Sequence, residues 1–518
     1  MKELVYHRML LASVERYADK TTILDGDYRS TQEAHATRTL RLANALQHEL
    51  GIDRDDRFAV MALNGHPYLE LYHAAYLGIG VVNPLNLRLA PTELEYILHD
   101  SGAKVVFADA WFAGVIDQVR KAAGIDTVVL IGDGDVPHDA RYEDVLAAGE
   151  PNVPEEPEES DSVVLMYTGG TTGLPKGVLL DQRAEMLNLY HTLLHWRFAE
   201  PDVFLHQTPM FHAASMGPLL AAPAVAATST FVPVFNPEQV LEVIERDRVT
   251  ATVMVPTMIA MLLQHPSFAP ERLASLRMLT YGASPMSTSL LDQLLAMYPA
   301  LDVYQGYGMT ESAAIITCLG PEDHRAGGPL LRSAGRSLTG VAITIQDDDG
   351  NVLRPRETGE VCARGGNYMR EYWNQPEATE EVFRGGWYHT GDAGYLDERG
   401  YLFLVDRVKD MIVTGGENVY SVEVENAIAS HPGVAQVAVI GIPSAQWGEA
   451  VHAIVVPKEG ATLTEDEIVE HARRVIAGYK VPKSVELRTD PLPLSGALKV
   501  LKRELRAPYW EGHDRSVG

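Results

Sequence analysis

Hydrophobic residues follow two different spacings along the first third of the chain. In residues 32–49, Leu42 and Leu46 fall on one stripe at helical spacing. The runs 58–61 and 104–107 are short, apolar and rich in β-branched or aromatic residues, as in buried strands. Alternation of such helices and strands predicts an α/β architecture with a largely parallel sheet.

The pattern changes further along the chain. Residues 150–162 are acidic and rich in proline, which indicates a solvated linker before an apolar strand at 163–167. After residue 340 the chain becomes β-rich with turns, and from about residue 410 a smaller α+β unit is predicted, with a helix at 465–477. A chain of 518 residues is too long for one compact core, so we expect two or more domains.

The composition is that of a globular protein with more acidic than basic residues. Hydrophobic residues make up 46%, and the formal net charge is −27, which argues against a nucleic-acid partner. Cys318 and Cys362 lie in apolar contexts and are expected to be buried thiols in a reducing compartment. The N-terminus lacks a signal-peptide core, and the longest apolar run, 218–227, is too short for a membrane span. We therefore expect a cytoplasmic protein.

A glycine-rich loop follows the strand predicted at 163–167 and reads Tyr-Thr-Gly-Gly-Thr-Thr-Gly-Leu-Pro-Lys-Gly. Glycines let the backbone curve round an oxyanion, hydroxyl groups can donate to phosphate oxygens, and a lysine adds positive charge. The loop is not a Walker A motif, because no serine or threonine follows Lys176. A plain surface turn is the alternative. We favour a phosphate site whose candidate ligands are Thr168, Gly169, Gly170, Thr171, Thr172 and Lys176.

Two later motifs also suit a nucleotide. Residues 304–311 read Tyr-Gln-Gly-Tyr-Gly-Met-Thr-Glu and combine an aromatic face for a purine, a hydroxyl for a phosphate and a carboxylate for Mg²⁺. Residues 387–392 read Trp-Tyr-His-Thr-Gly-Asp and place a carboxylate where it can accept from two ribose hydroxyls. In isolation, the second segment is more typical of a turn closed by its own aspartate.

In this order, the three motifs resemble those of the acyl-adenylate-forming superfamily, which includes acyl-CoA synthetases, 4-coumarate ligase-like enzymes, luciferase and peptide-synthetase adenylation domains. The resemblance covers roughly residues 20–510, and Gly170 stands where the family usually has serine. It implies adenine stacking for Tyr307, an α-phosphate contact for Thr310, Mg²⁺ binding for Glu311 and ribose binding for Asp392. Further nucleotide-binding residues implied by the resemblance are Gly282, Ala283, Ser284, Gly306 and Gly308.

The resemblance also implies the domain plan. It predicts a large N-terminal domain over residues 1–405, built of layered α/β subdomains plus a β-rich part. A small mobile α+β domain over residues 410–518 follows a hinge near 406–410, where Lys409 takes the hinge position. Residues implied to contact the nucleotide or coenzyme A from the hinge and the C-terminal domain are Arg407, Gly415, Gly416, Trp447 and Tyr479.

Near the C-terminus, the resemblance places Lys499 at the catalytic position. An ammonium there bridges the substrate carboxylate and the α-phosphate and offsets the repulsion between two anions. The family usually has glycine before this lysine, whereas this chain has Leu498. The catalytic residues implied are Lys499, Thr171, Glu311 and His212, although a structural role for His212 is nearly as well supported.

The acyl pocket is implied to lie along residues 211–216, where no acidic residue stands to hold the ammonium of an amino acid. Small residues leave room for an apolar tail: Ala213, Ala214, Gly217 and Gly306. We therefore expect a medium- or long-chain fatty acid as the substrate, with an aryl or arylpropenoic acid as the alternative.

The predicted activity is an ATP-dependent acyl-CoA synthetase that uses ATP, Mg²⁺ and coenzyme A and forms an acyl-AMP intermediate. A homodimer is compatible with this prediction. Two alternatives remain open: an adenylating enzyme that transfers the acyl group to a carrier protein or an amine, and a binding protein without catalysis. The simultaneous presence of Lys499, Glu311 and Asp392 argues against the second alternative.

Overall fold

The computed structural model describes residues 4–168, 174–284, 286–407, 411–414, 417–444, 446–496 and 498–511. Within these residues, the protein is a mixed α/β structure with four sheets. Three sheets belong to residues up to 407, and the fourth belongs to residues from 412 onwards. The predicted fold class is confirmed.

The first sheet carries the two strands that flank the glycine-rich loop. Its strands are parallel except for two antiparallel strands at one edge. The central strands are continuous apolar runs because helices cover both faces of the sheet. In spatial order, the strands are Glu371–Tyr372, Lys176–Asp181, Ser162–Thr168, Val81–Pro84, Arg57–Met61, Val105–Asp109, Thr127–Ile131 and Ala140–Arg141.

The second sheet gathers segments that the sequence assigned to the nucleotide and the acid. Its central strands are parallel, and antiparallel strands close both edges. The segments that follow parallel strands collect at one edge of a sheet, which is where ligands bind in open α/β folds. In spatial order, the strands are Arg336–Ser337, Thr317–Leu319, Asp302–Tyr307, Met278–Gly282, Ala251–Met254, Val203–His206, Thr228–Phe231, Thr21–Asp25 and Tyr28–Thr31.

Two smaller sheets follow, in agreement with the β-rich pattern predicted after residue 340. The third sheet is antiparallel and consists of Ala342–Gln346, Gly359–Arg364, Tyr388–Leu396 and Leu402–Arg407. The fourth sheet forms the C-terminal unit and consists of Glu417–Val419, Ile412–Thr414, Gly448–Pro457, Val434–Ser444 and Ser484–Leu487.

The helices begin and end at residues with clear physical reasons. Helix Gln32–His48 begins after Thr31, whose side chain accepts from the backbone N–H of Ala34 at 3.2 Å. Helix Pro91–Ser101 ends at Gly102, which has a φ of +65°. The other α-helices are Tyr6–Tyr17, His66–Tyr76, Ala110–Ala123, Tyr142–Ala148, Gln182–His195, Met216–Ala224, Pro237–Asp247, Pro256–Leu263, Thr288–Met297, Pro321–Ala326, Pro376–Val382, Ser421–Ala429, Glu465–Val475 and Lys502–Trp510.

Single turns of 3-10 helix connect several of these elements. They span Ala213–Ser215, Pro270–Leu273, Thr310–Ser312, Gly328–Arg332 and Arg384–Gly386. Among the described residues, no helix combines the length and the hydropathy needed to cross a bilayer.

Two local expectations can be compared directly with the structure. The acidic segment predicted as a linker contains no helix or strand up to Asp161, and the next strand begins at Ser162. The thiols differ from each other: Cys362 is fully buried, whereas Cys318 is only partly buried. The expectation of two buried thiols is therefore wrong for Cys318, because it lies on a short strand near the edge of the second sheet.

Candidate active site

A large cleft of about 3350 Å³ is lined by residues at the ends of the sheets and by residues of the C-terminal unit. Its lining includes most of the described residues that the sequence singled out. These are Thr168, Lys176, His212, Ala213, Ala214, Gly217, Gly282, Ala283, Ser284, Gly306, Tyr307, Gly308, Thr310, Glu311, Asp392 and Lys499. Residues more than 300 positions apart in the sequence thus face one cavity.

The glycine-rich loop joins two antiparallel strands at the edge of the first sheet. Thr168 ends one strand and pairs with Lys176, which begins the next. The Oγ1 of Thr168 donates to the carbonyl oxygen of Lys176 at 3.5 Å. The strand pairing therefore holds the two ends of the loop side by side. Four predicted ligands lie outside the described residues: Gly169, Gly170, Thr171 and Thr172.

Glu311, the predicted metal ligand, is held by a residue that the sequence did not point to. The hydroxyl of Tyr372 donates to Glu311 Oε1 at 2.8 Å, and Lys176 Nζ lies 4.7 Å from the centroid of the Tyr372 ring. Burial raises the pKa of Tyr372, so its hydroxyl stays protonated and keeps donating. Tyr372 thus connects the cation of the loop with the carboxylate of the second motif. Tyr372 lies on the short strand Glu371–Tyr372, which contains no sequence motif that would point to the site.

The turn after Tyr307 has an unusual backbone. Thr310–Ser312 forms one turn of 3-10 helix, and the next two residues, Ala313 and Ala314, have φ values of +49° and +90°. A side chain at Gly308 would collide with the carbonyl oxygen of Ala314, so only glycine fits there. Strained backbone of this kind is typical of functional sites, where the surrounding structure holds it in place.

The two residues implied to hold adenine and ribose are in direct contact. The hydroxyl of Tyr307 donates to Asp392 Oδ2 at 2.6 Å. The backbone N–H of Asp392 donates to Thr390 Oγ1 at 3.1 Å, and the Thr390 hydroxyl donates to the carbonyl oxygen of Val361 at 2.8 Å. Asp392 pairs in the third sheet with Arg407, whose side chain lies outside the described part of the structure.

A polar cluster beneath this turn was missed by the sequence reasoning. His389 Nδ1 lies 2.7 Å from Glu360 Oε2, and the backbone N–H of Gly391 donates to Glu360 Oε1 at 3.1 Å. The Sγ of Cys362 lies 3.3 Å from His389 Nδ1, and burial raises the pKa of that thiol to about 12. Through the bond from Gly391 to Glu360, this cluster is attached to the turn that carries Asp392.

The segment implied to face the adenine edge lies where two parallel strands approach closely. Gly282 and Gly306 are register partners, and a side chain at Gly282 would collide with the carbonyl oxygen of Gly306. Ala283 follows with a φ of +65°. The two glycines therefore bring the strand ends together, and Ser284 continues along the wall of the cleft.

His212 lies at the inner end of the cleft as a neutral imidazole. Its Nδ1 accepts from the backbone N–H of Ala214 at 3.2 Å, so the ring proton is on Nε2. Burial, together with the positive charge of Lys499, lowers the pKa of His212 to about 3. His212 can therefore donate one hydrogen bond at neutral pH but cannot supply a positive charge.

Lys499 reaches the cleft on a hairpin that is closed by the bridge between Leu494 and Val500. Two side chains from the N-terminal part bind this hairpin. Arg88 donates to the carbonyl oxygen of Leu494 at 3.1 Å. The hydroxyl of Thr257 donates to the carbonyl oxygen of Leu498 at 2.9 Å. The described structure therefore has Lys499 docked at the cleft.

The replacement of the usual glycine by Leu498 has a visible consequence. Leu498 has a φ of +58°, the left-handed region that glycine adopts without cost. Its side chain compensates by packing against the apolar cluster that contains Met254, Met258 and Tyr281. The hairpin thus follows the path that a glycine would take, and the leucine adds an apolar contact with the N-terminal part.

Comparison with known proteins identifies the family. The family model described as AMP-binding enzyme matches residues 10–373, and the model of the AMP-binding enzyme C-terminal domain matches residues 423–499. The chain belongs to the AMP-binding enzyme family. The resemblance stated from the motifs is therefore confirmed, and so is the prediction of an adenylate-forming enzyme.

Relatives of this AMP-binding enzyme are similar over nearly their whole length. A feruloyl-CoA synthase from Amycolatopsis is 38% identical over 94% of this chain and 96% of the relative. The long-chain-fatty-acid–CoA ligase FadD13 of Mycobacterium tuberculosis is 36% identical over 96% of this chain and 95% of the relative. The crystal structure of ATP-bound MatB from Rhodopseudomonas palustris superposes with a TM-score of 0.89 at 29% identity, covering 99% of this chain and all of that chain.

Other residues predicted in this AMP-binding enzyme lie apart from the cleft or outside the described residues. Trp447 and Tyr479 are 42% and 43% exposed and do not line the cleft. Lys480, next to Tyr479, pairs with Glu423. Three predicted residues of the hinge and the C-terminal loop lie outside the described residues: Lys409, Gly415 and Gly416.

The small residues of the implied acyl pocket do not all serve the same purpose. A side chain at Gly217 would collide with Thr192 Oγ1. This glycine therefore allows helix Met216–Ala224 to approach helix Gln182–His195, in addition to lining the cleft. A Cβ at Gly306 would lie 3.1 Å from Ile315 and 3.8 Å from Trp196, so the absence of a side chain lets this strand lie close to those two side chains.

Proposed function

We propose that this AMP-binding enzyme is an ATP-dependent acid–CoA ligase that works through an acyl-AMP intermediate. The observation that carries the proposal is the docking of the Lys499 hairpin at the cleft that also holds His212, Glu311 and the Tyr307–Asp392 pair. The two relatives, a feruloyl-CoA synthase and a long-chain-fatty-acid–CoA ligase, support coenzyme A as the acceptor.

In the first step, a carboxylate oxygen of the acid attacks the α-phosphorus of ATP. The bond between the α- and β-phosphates breaks, and pyrophosphate leaves. Both reactants are anions, so the ammonium of Lys499 reduces their repulsion and stabilises the charge that builds up in the transition state. Neutral His212 can donate from Nε2 to an acyl oxygen, which helps to orient the acid.

We propose Glu311 as the ligand of Mg²⁺. The fit is good because Mg²⁺ is usually held by one or two carboxylates together with substrate phosphates, and Tyr372 engages only one of the two carboxylate oxygens. When bound, the ion neutralises phosphate charge. The nucleotide contacts that accompany it are assigned to the phosphate loop, to Thr310 and to the Tyr307–Asp392 pair.

In the second step, the sulfur of coenzyme A attacks the acyl carbon, the bond to the phosphate oxygen breaks, AMP leaves and the thiol proton is released. We propose that the unit over residues 410–518 turns against residues 1–405 about the hinge at 406–410, which removes Lys499 and admits the thiol arm. The exposed positions of Trp447 and Tyr479 leave both rings available for coenzyme A after such a motion. Gly415 and Gly416 are assigned to the path of the thiol arm, Arg407 to the nucleotide and Lys409 to the hinge.

The acid is either a medium- or long-chain fatty acid or an aryl acid, since the names of the relatives include both classes. A carrier protein or an amine as acceptor is the second candidate function, and it shares the whole first step. The homodimer and the cytoplasmic location stay predictions.

The test separates the two half-reactions. The full chain is incubated with ATP and MgCl₂ and a panel of acids from acetate to palmitate plus benzoate and 4-hydroxycinnamate, and pyrophosphate release is measured. Coenzyme A is then added and the product mass is determined. We expect acid-dependent pyrophosphate release and a thioester. Release without a thioester would favour the other acceptors, and no release with any acid would contradict the proposal.

A further inference from the structure

Three side chains that can bind a transition metal converge on one face of the third sheet. Cys362 and His389 lie directly opposite each other on strands Gly359–Arg364 and Tyr388–Leu396. Glu360 comes two positions before Cys362 and therefore points to the same face. One ligand atom of each residue lies within 4.8 Å of the other two, and among the described residues no other trio of histidine, cysteine or acidic side chains meets this condition.

One ring nitrogen of the histidine is close to both of the other ligand atoms. Nδ1 of His389 lies 3.3 Å from Cys362 Sγ and 2.7 Å from Glu360 Oε2. Zinc bonds of about 2.0–2.3 Å place the ligand atoms of a tetrahedral site about 3.3–3.6 Å apart. If the Glu360 carboxylate withdraws by about half an ångström, an ion can replace the proton between it and the ring.

The trio is buried on one side and reaches the cleft on the other. Cys362 is fully buried, whereas Glu360 and His389 belong to the cleft lining. The two strands fix the thiol and the ring, and the partly exposed side chain of Glu360 is free to adjust. An ion can therefore enter from the cleft, and water from the cleft can complete a coordination number of four.

Two features oppose a cation here, and both can be relieved. Burial raises the pKa of the Cys362 thiol to about 12, but a metal ion deprotonates the thiol that it binds. Arg384 lies 2.9 Å from Glu360 Oε2, on a side chain that is 53% exposed and can turn into solvent. On binding, the thiol releases its proton, and the ring proton of His389 moves from Nδ1 to Nε2.

We propose that Glu360, Cys362 and His389 form a binding site for Zn²⁺, with water as the fourth ligand. The site differs in chemistry from the Mg²⁺ site assigned to Glu311, because Mg²⁺ prefers oxygen ligands and this trio offers sulfur and nitrogen. The backbone N–H of Gly391 donates to the other carboxylate oxygen, Glu360 Oε1, so a bound ion is attached to the ribose turn. The inference does not depend on the proposed acid–CoA ligase activity.

The experiment measures metal binding by the full chain without an affinity tag, after treatment with a chelator. The chain is incubated with ZnCl₂ and dialysed against excess MgCl₂, and we expect about one equivalent of zinc to remain. Cys362→Ser should weaken zinc binding by about 100-fold or more, since even the loss of an outer-shell partner can cost that much. Cys318→Ser, which alters the other cysteine, is the control and should leave binding unchanged. Equal zinc binding by Cys362→Ser and the wild type would overturn the proposal.

Two further measurements test the ligands without changing a buried residue. Co²⁺ in place of Zn²⁺ should give the wild-type chain the near-ultraviolet absorption of a thiolate bound to cobalt. The absence of this band overturns the proposal even if Cys362→Ser does not fold. Arg384→Gln removes the cation that competes for Glu360 and should tighten zinc binding about threefold. Weaker zinc binding by Arg384→Gln would contradict the assignment of Glu360.

Discussion

The hydroxyl of Tyr307 donates to Asp392 Oδ2 at 2.6 Å, which joins the residue assigned to adenine to the residue assigned to ribose across 85 positions of sequence. The bond holds one oxygen of the Asp392 carboxylate against the phenol of Tyr307. Burial holds the pKa of Tyr307 well above its usual range, so its hydroxyl stays protonated and able to donate at neutral pH.

Tyr307→Phe should therefore raise the KM for ATP about tenfold and change the KM for the acid little. The phenyl ring keeps its stacking surface, but Asp392 loses the donor that orients it, at a cost of about 1.4 kcal/mol. Tyr304→Phe is a matched control, because the hydroxyl of Tyr304 is buried without a partner in the described structure. Equal effects of the two variants would show that the Tyr307–Asp392 bond does not orient the nucleotide site.

The contact between Tyr372 and Glu311 predicts a change in magnesium dependence. Tyr372→Phe frees Glu311 Oε1 to rotate, and we expect the Mg²⁺ concentration for half-maximal pyrophosphate release to rise about fivefold. Tyr368→Phe serves as the control, since the buried hydroxyl of Tyr368 has no partner among the described residues. A titration curve that does not move in Tyr372→Phe contradicts this positioning role.

Lys499→Ala should reduce acyl-AMP formation by about 10³ and leave thioester formation from added acyl-AMP nearly intact. The charge acts only in the first step, where two anions meet. Pyrophosphate release and thioester formation are measured separately, with Lys121→Ala, an exposed lysine of helix Ala110–Ala123, as the control. Equal losses in both half-reactions would assign Lys499 a different role.

The left-handed backbone at Leu498 predicts that two substitutions there affect pyrophosphate release differently. Leu498→Gly relieves backbone strain while losing apolar contact, and pyrophosphate release should stay within about threefold of wild type. Leu498→Val places a β-branched residue at a φ of +58°, which distorts the hairpin before Lys499 and should slow release about tenfold. Similar activity of the two variants would mean that the backbone conformation at this position does not matter.

The buried pair of His35 and His73 predicts acid sensitivity. His35 Nε2 lies 3.0 Å from His73 Nδ1, and burial lowers the pKa of His73 to about 4 and that of His35 well below its usual value. Because these folded-state values lie below the unfolded value of about 6.5, their contribution to stability is complete above pH 6.5 and is lost as the pH falls toward 4. In that range, each histidine should cost about 1.4 kcal/mol per pH unit.

Urea unfolding at pH 7.5 and pH 5 measures this effect. The double substitution His35→Gln and His73→Gln should reduce the loss of stability between the two pH values, whereas His48→Gln, at an exposed position, should not. The idea fails if the double variant and the wild type lose stability equally.

Much of the fold could be predicted from the spacing of apolar residues along the chain. Residues 465–477 were predicted as a helix and form Glu465–Val475, and the buried strands predicted at 58–61 and 104–107 form Arg57–Met61 and Val105–Asp109. These elements follow from which residues repeat at 3.6 or at 2 positions and from continuous apolar runs, and both are properties of neighbouring residues. The family could also be recognised, because its phosphate, purine and ribose motifs are short and contiguous.

The contacts that hold the site residues in place could not be predicted from local sequence. Tyr372 reaches Glu311 across 61 positions, and Thr257 binds the carbonyl oxygen of Leu498 across 241 positions. Glu360 also belongs to no motif, and its contact with the turn at Gly391 arises only from folding.

The sequence by itself therefore determined the chemistry of this protein: the order of its motifs, the residues able to bind a nucleotide and the alternation of helices and strands. The tertiary structure decided how those residues are oriented and which side chains support them. The physical reason is that a side chain's orientation and the cost of leaving it unpaired depend on distant neighbours, and packing alone brings those neighbours within hydrogen-bond distance.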